Sequence, residues 1–120
     1  MKYDYKFRII DLGQSKKDLV IVLPKEIEVV ASFLNTEVQG SYSEDWYLEA
    51  IDRVLSGDEE YWRVSGDLCI LEISRDSTKV IDSCANYGVG NCCEIETDEL
   101  KALIILWAKE LKSFMMQHRY

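Results

Sequence analysis

The spacing of apolar residues divides the first half of the chain into strands and helices. Apolar and polar residues alternate over residues 3–9, which predicts a strand with one face in water. A continuous apolar run over residues 19–23 predicts a strand that is buried on both faces. Helical spacing follows over residues 27–34 and, more clearly, over residues 43–55. The first half therefore predicts two strands followed by two helices.

The second half contains short apolar segments with turn residues between them. These segments predict four strands, at residues 61–64, 69–73, 78–83 and 92–96. In the last strand the period-2 pattern places Cys93 and Ile95 inward. A long C-terminal helix follows, because apolar residues then recur with the helical period. Its inner residues are Leu100, Leu103, Ile104, Trp107, Leu111, Phe114 and Met115.

The ends and the width of this last helix can also be predicted from the sequence. Thr97 is a candidate N-cap, because threonine is favoured immediately before a helix. Ile105, Leu106 and Met116 widen the apolar stripe beyond one face, which predicts packing on more than one side. Together the elements predict a single α+β domain over residues 1–120. Its antiparallel sheet has about five or six strands and packs against two or three helices, the longest at the C-terminus.

The net charge changes the expected partners. The chain has 22 acidic and 14 basic side chains, which gives a formal charge of -8. Residues 1–25 and 101–120 each carry +3, so residues 26–100 hold -14. Such a chain repels phosphate backbones, and no apolar run approaches the ~20 residues that span a bilayer. We therefore expect a cytoplasmic protein that binds neither nucleic acid nor membrane.

The residues that carry enzymatic or metal chemistry are not arranged for it. The acidic residues cluster in polar runs, whereas acid–base catalysis needs a carboxyl in an apolar pocket. The single histidine, His118, lies near the C-terminus, and the four cysteines form no C-x2-C pair. Gly88 and Gly90 lack the third glycine of a dinucleotide fingerprint, since Cys93 occupies its place. The sequence thus predicts no catalytic residue, no metal and no cofactor.

A candidate protein-binding surface lies in the acidic centre of the chain. Asp45, Glu49 and Asp52 are spaced i, i+4 and i+7 on one helical face, where like charges cost ~0.2–0.5 kcal/mol per pair. Aromatic anchors with carboxylates around them suit the capture of a basic protein. Tyr47 and Trp62 have the phase of core residues, whereas Trp46 does so less clearly. The predicted binding residues are Glu44, Asp45, Trp46, Glu49, Asp52, Asp58, Glu59 and Glu60.

A family resemblance covers roughly residues 59–115. It consists of Tyr87, Gly90, Asn91, Cys93, Ile95, Thr97 and Leu100 with their spacing, followed by Leu103, Ile104 and Trp107. This pattern resembles the C-terminal half of bacterial immunity proteins of contact-dependent growth inhibition (the CdiI type) and related polymorphic toxin systems. The resemblance implies a small cytosolic protein that binds the C-terminal toxin domain of a cognate effector, frequently a basic nuclease. It assigns no binding residue, because the family is highly diverse.

Three functions remain open at this stage. The leading hypothesis is an immunity protein, a monomer or weak homodimer, that neutralises a basic toxin domain by stoichiometric occlusion with its acidic surface. The alternative is a structural or regulatory subunit that dimerises through its C-terminal helix, which requires Ile105, Leu106 and Met116 to be exposed. A third is a small enzyme, which requires a pocket with convergent polar groups.

Overall fold

A computed structural model describes residues 1–40, 43–83 and 91–118. The elements in chain order are β1 (Lys6–Gly13), β2 (Lys16–Val22), a 3-10 turn (Lys25–Ile27), α1 (Glu28–Glu37), α2 (Ser43–Leu55), β3 (Tyr61–Ser65), β4 (Cys69–Ser74), β5 (Ser77–Asp82), β6 (Asn91–Glu96) and α3 (Thr97–Gln117). The predicted α+β class is confirmed. The strands form two antiparallel sheets, a hairpin of β1 and β2 and a four-stranded sheet in the order β3-β4-β5-β6.

The β1–β2 hairpin is longer than the sequence pattern predicts. Its two-residue turn at Gln14 and Ser15 has positive φ at both positions, 54° and 64°, which matches the twist of the flanking strands. In β2 the buried residues alternate, with Leu19 and Ile21 inside and Val20 half-buried between them. The prediction of burial on both faces is therefore wrong. The helices α1 and α3 contact β2, and they do not enclose it.

The far end of the hairpin extends beyond the core. Phe7 of β1 stacks on Trp107 of α3, with ring centroids 6.4 Å apart. Past this contact Ile9 is 53% exposed, and Ile10 and Leu12 are exposed as well. The alternating pattern places Ile9 on the same face as Phe7, yet Ile9 is largely uncovered.

The inner face of the four-stranded sheet is apolar and packs against the helices. Its strand register aligns two rows of inward residues, Val64-Leu71-Val80-Cys93 and Trp62-Ile73-Thr78-Ile95. The inward placement of Cys93 and Ile95 is confirmed. On the outer face, Arg63, Glu72, Lys79 and Glu94 are register partners across the four strands. Because their charges alternate in sign, this face is stable in water.

The helix α3 is the central element of the core. Trp107 is fully buried, and its indole Nε1 donates to the carbonyl oxygen of Val38 at 2.7 Å. Ile105 and Met116 are 48% and 62% exposed, so the prediction that the helix packs on more than one side is wrong at these positions. Met115, which the periodicity places among the inner residues, is 49% exposed, so that prediction is wrong as well. In the described part of the chain, no helix has both the length and the apolar character needed to cross a membrane.

Thr97 has a different role from the predicted N-cap. It is the first residue of α3, and Glu96 precedes the helix. The Thr97 hydroxyl donates to the carbonyl oxygen of Ser74 at 2.5 Å and lies 2.8 Å from the hydroxyl of Thr78. Both threonines are fully buried. Their hydroxyls therefore satisfy each other and fix the start of α3 to the sheet.

The N-terminal residues are attached to the junction of β6 and α3. The Lys2 ammonium pairs with Glu96, whose other carboxylate oxygen accepts a 2.6 Å hydrogen bond from the Tyr3 hydroxyl. The backbone N–H of Lys2 donates to Glu99 at 3.0 Å. The hydrogen bonds from Lys2 and Tyr3 lower the pKa of Glu96 from 4.5 to about 2. The basic N-terminus is thus held against α3 by ionised carboxylates.

We expect this attachment to be lost in acid. Because the pKa of Glu96 is lower in the folded chain, its interactions stabilise the fold above pH 4.5 and are lost as the pH falls toward about 2. NMR signals of Lys2 and Tyr3 should therefore titrate near pH 2 and should lose this transition in Glu96→Gln. Glu94→Gln, an exposed change on the same strand, is the control and should keep it. A transition near pH 4.5 in the unmodified chain would contradict the assignment.

Candidate functional site

The acidic residues of α2 face solvent because the opposite side of the helix is buried. Its inner residues are Tyr47, Ala50, Ile51 and Val54, as the sequence predicts. Asp45, Glu49 and Asp52 are exposed on the other side. Glu44 differs from the prediction, because it is half-buried. Its Oε2 atom is buried and has no hydrogen-bond partner among the described residues.

Two of the exposed carboxylates have cationic neighbours from this chain. Glu49 pairs with Arg53 one turn along the helix, at 3.2 Å, and Asp52 pairs with Lys101 of α3, at 2.7 Å. All four side chains are substantially exposed, and such pairs contribute about 0–1 kcal/mol. A cationic group of a binding partner can therefore compete with Arg53 and Lys101 at little cost.

The remaining acidic residues of the predicted set lie at the other end of α2. Asp58, Glu59 and Glu60 are all exposed in the loop before β3. The N–H of Glu59 donates to the carbonyl oxygen of Arg53 at 3.0 Å, which holds this loop against the end of the helix. A helix of 13 residues is about 20 Å long. The predicted residues therefore form an elongated surface along α2, with Glu44 and Asp45 at one end and the loop at the other.

Trp46 is the prominent aromatic residue of this surface. Its side chain is 55% exposed, which is unusual for the largest apolar residue type. It lies between two cavities. The smaller, of about 100 Å³, is also lined by Glu49, Arg53 and Trp62, and there the Arg53 guanidinium lies 5.0 Å from the centre of the Trp62 ring. The larger has a volume of about 240 Å³.

We call the larger cavity the Trp46 pocket. It is lined by Trp46 and Tyr47 of α2, by Glu37 at the end of α1, and by Gly66 and Asp67 in the β3–β4 turn. The Trp46 and Tyr47 rings have centroids 5.3 Å apart and form its aromatic side. Glu37 and Asp67 supply carboxylates. The pocket thus continues the acidic, aromatic surface of α2 toward the sheet.

The Glu37 carboxylate is held in place by three donors. Its Oε2 accepts from the Tyr47 hydroxyl and from the N–H of Asp67, each at 3.0 Å, and its Oε1 accepts from the N–H of Leu68 at 2.6 Å. Burial and the hydrogen bond to Glu37 raise the pKa of the Tyr47 phenol, so it stays protonated and donates. These donors orient Glu37 without neutralising its charge.

Gly66 makes this arrangement possible. A Cβ atom at this position would lie 1.9 Å from Oε2 of Glu37 and 2.6 Å from the Tyr47 hydroxyl oxygen. Any other residue would therefore displace the carboxylate from the pocket. Gly66 lies in the turn between β3 and β4, and no local sequence pattern connects it with α2.

Glu37 and Asp67 are the site residues that the sequence did not reveal. They are separated by 30 positions, and no local pattern relates the end of α1 to a hairpin turn. Tyr47 is buried and Trp62 half-buried, as their phases predict, and Tyr61 is 49% exposed. Within residues 1–40, 43–83 and 91–118, no three His, Cys, Asp or Glu side chains are grouped to hold a metal ion.

Comparison with known proteins identifies the family to which this chain belongs. No protein-family model matches the chain, and no solved structure matches it significantly. A protein of Bacillus cereus named "Immunity protein" is 46% identical over 114 residues, which cover 95% of this chain and 92% of the relative. The two chains are thus related over nearly their whole lengths. The chain belongs to the family of this immunity protein.

Proposed function

We propose that the chain is a non-catalytic inhibitor that binds a cognate toxin domain through the surface of α2. The single observation that carries the location is Trp46, a mostly exposed indole with Asp45 and Glu49 on the same helix. Exposed tryptophans at the centre of a polar rim are typical binding hot spots. The family supports the general role, since the relative is named an immunity protein.

The charge of the surface favours a basic partner. Asp45, Asp58, Glu59 and Glu60 take part in none of the ion pairs found among the described residues. Unpaired surface carboxylates attract a cationic protein over long distances and speed its encounter. Nucleases bind phosphates with lysine and arginine, so an acidic inhibitor occupies the same groups. We therefore propose a basic nuclease of the contact-dependent or a related polymorphic toxin system as the partner.

We also propose that the inhibitor acts in the cytoplasm. Cys92 and Cys93 are free thiols in the described part of the chain. Burial raises the pKa of the Cys93 thiol, which lowers its reactivity. Free thiols persist in a reducing compartment, which is also where a nuclease toxin reaches nucleic acid.

Charge reversal on α2 tests the electrostatic part of the proposal. We expect Glu49→Lys combined with Asp52→Lys to slow association with the toxin domain encoded by the neighbouring reading frame about tenfold at low salt. The association rate of this variant should also fall less steeply as salt is added. Stopped-flow or surface-based kinetics with the purified domain measures both quantities.

A second double variant controls for net charge. Glu26→Lys with Glu28→Lys changes the charge of the chain by the same amount at exposed positions away from α2. It should associate almost as fast as the unmodified chain. Equal slowing in both double variants would assign the effect to net charge and contradict a role for α2.

The alternative of dimerisation through α3 receives partial support. Ile105 and Met116 are exposed, as that function requires, whereas Leu106 is partly buried. Lys109 and Lys112 lie between them on the same helical face, both exposed. A symmetric contact there would bring lysines of two copies together, which is unfavourable. A concentration-independent monomer in light scattering would eliminate this alternative.

A further inference from the structure

The Trp46 pocket has the size of a single side chain. Its volume of about 240 Å³ lies below the ~300–1,000 Å³ of pockets that hold small-molecule ligands. Its wall comes from three separate segments, at Glu37, at Trp46 and Tyr47, and at the β3–β4 turn. Gly66 leaves room for the Glu37 carboxylate in this wall, because a Cβ atom there would collide with it. The fold thus maintains a small opening beside the most exposed tryptophan.

The carboxylates of the pocket have no cationic neighbour among the described residues that line it. None of the ion pairs found among the described residues includes Glu37 or Asp67. The three donors to Glu37 are two backbone N–H groups and a neutral phenol, so the carboxylate is oriented and keeps its charge. A preoriented carboxylate loses little entropy when a cation arrives, which favours binding.

The aromatic wall adds a preference for a flat cation. A guanidinium stacks on an indole face, and its forked donors can reach two carboxylates at once. The chain makes the first of these contacts itself in the adjacent cavity, where Arg53 lies over Trp62 at 5.0 Å. In the Trp46 pocket the indole and the carboxylates are present, and no arginine is found among the described residues that line it.

We propose that the Trp46 pocket receives an arginine side chain of the toxin domain. The guanidinium stacks on Trp46 and donates to the carboxylates of Asp67 and Glu37. This inference rests on the proposed function for its partner, and it adds the pocket residues Glu37, Gly66 and Asp67 to the surface of α2. It makes one arginine of the toxin a determinant of specificity.

The pocket can be tested without the toxin. Titration of the full chain with N-acetyl-arginine amide, followed by NMR, should give saturable shifts of the Trp46 indole N–H and of the Gly66 and Asp67 amides. A single-residue probe is expected to bind with a Kd in the millimolar range, about 1–10 mM. N-acetyl-lysine amide should bind more weakly, and the uncharged isostere N-acetyl-citrulline amide should give no saturable shifts. Equal responses to arginine and citrulline would overturn the proposal.

Variants at exposed positions keep the fold intact. Asp67→Asn and Trp46→Leu should each weaken binding of the arginine probe about tenfold, because each removes one of the three side chains that the guanidinium contacts. Asp76→Asn is the matched control, since Asp76 is an exposed aspartate in the next hairpin turn. It should leave the affinity for the probe unchanged. Equal weakening by Asp76→Asn would assign binding to general charge and overturn the proposal.

Binding of the toxin domain separates this inference from the proposed function. If the pocket is used, Asp67→Asn weakens binding of the toxin domain about tenfold, and Asp76→Asn does not. A second outcome is that Asp67→Asn binds the toxin domain with normal affinity while the double variant Glu49→Lys with Asp52→Lys associates slowly. In that case the pocket proposal is wrong and the proposed function stands. If the unmodified chain does not bind the toxin domain at all, the proposed function fails, and a positive result with the arginine probe still supports the pocket.

Discussion

Replacing Trp46 with alanine is expected to weaken binding of the cognate toxin domain by about 30-fold or more, the range of an interface hot spot. The indole is 55% exposed and forms a wall of both cavities on the surface of α2, so its removal flattens the surface that a partner would fill. The effect should lie mainly in the dissociation rate, because the carboxylates that steer association remain. Calorimetric titration with the purified toxin domain measures the loss of affinity, and binding kinetics shows whether the association rate or the dissociation rate has changed.

Tyr61→Ala is the control for this prediction. Tyr61 is an aromatic residue of similar exposure, 49%, on the strand that follows the acidic loop. Its neighbour Trp62 points inward, so Tyr61 lies on the outer face of the sheet. The affinity of Tyr61→Ala for the toxin domain should lie within a few-fold of that of the unmodified chain. Normal binding by Trp46→Ala would place the toxin interface elsewhere on the molecule.

Replacing Trp107 with alanine should destabilise the fold by about 3–5 kcal/mol, the usual cost of truncating a buried tryptophan. Trp107 is fully buried, stacks on Phe7 and donates a hydrogen bond to the carbonyl oxygen of Val38. The change therefore leaves a cavity and an unpaired carbonyl, and it releases the β1–β2 hairpin from α3. Urea denaturation followed by circular dichroism gives the free energy of unfolding.

A second variant separates packing from hydrogen bonding. Trp107→Phe keeps most of the apolar contact and removes the donor to Val38. It should therefore lower the free energy of unfolding by about 1–3 kcal/mol for the lost hydrogen bond, plus a smaller amount for the cavity. Trp46→Ala is the exposed control and should change the free energy of unfolding little. Equal stability of Trp107→Ala and Trp46→Ala would contradict the central position of Trp107 in the core.

The sequence predicted the elements whose signals are local. The helical spacing of α2 fixes both its buried residues and the exposure of Asp45, Glu49 and Asp52, since one phase determines both faces. The inward side of β6 followed from alternation in the same way. Trp46 was identified as a site candidate because it lies outside the inner stripe of α2, and its exposure agrees with that interpretation.

Features that depend on distant contacts were not predictable. The burial of a strand depends on what covers it, and the two-stranded hairpin leaves Ile9 uncovered although its alternation is regular. The cap expected at Thr97 is wrong, because Ser74 and Thr78 offer its hydroxyl partners that no local pattern reveals. Glu37 joins the site for the same reason, since the fold alone brings α1 to the β3–β4 turn.

The exposed edge of the β1–β2 hairpin also influences how the protein behaves at high concentration. Among the described residues β1 pairs with β2 alone, so its outer backbone groups can template strands from other molecules. Lys6 and Arg8 belong to β1, and their positive charges repel the β1 edge of a second copy. Salt screens that repulsion, so concentrated samples should remain free of fibrillar assemblies longest at low ionic strength.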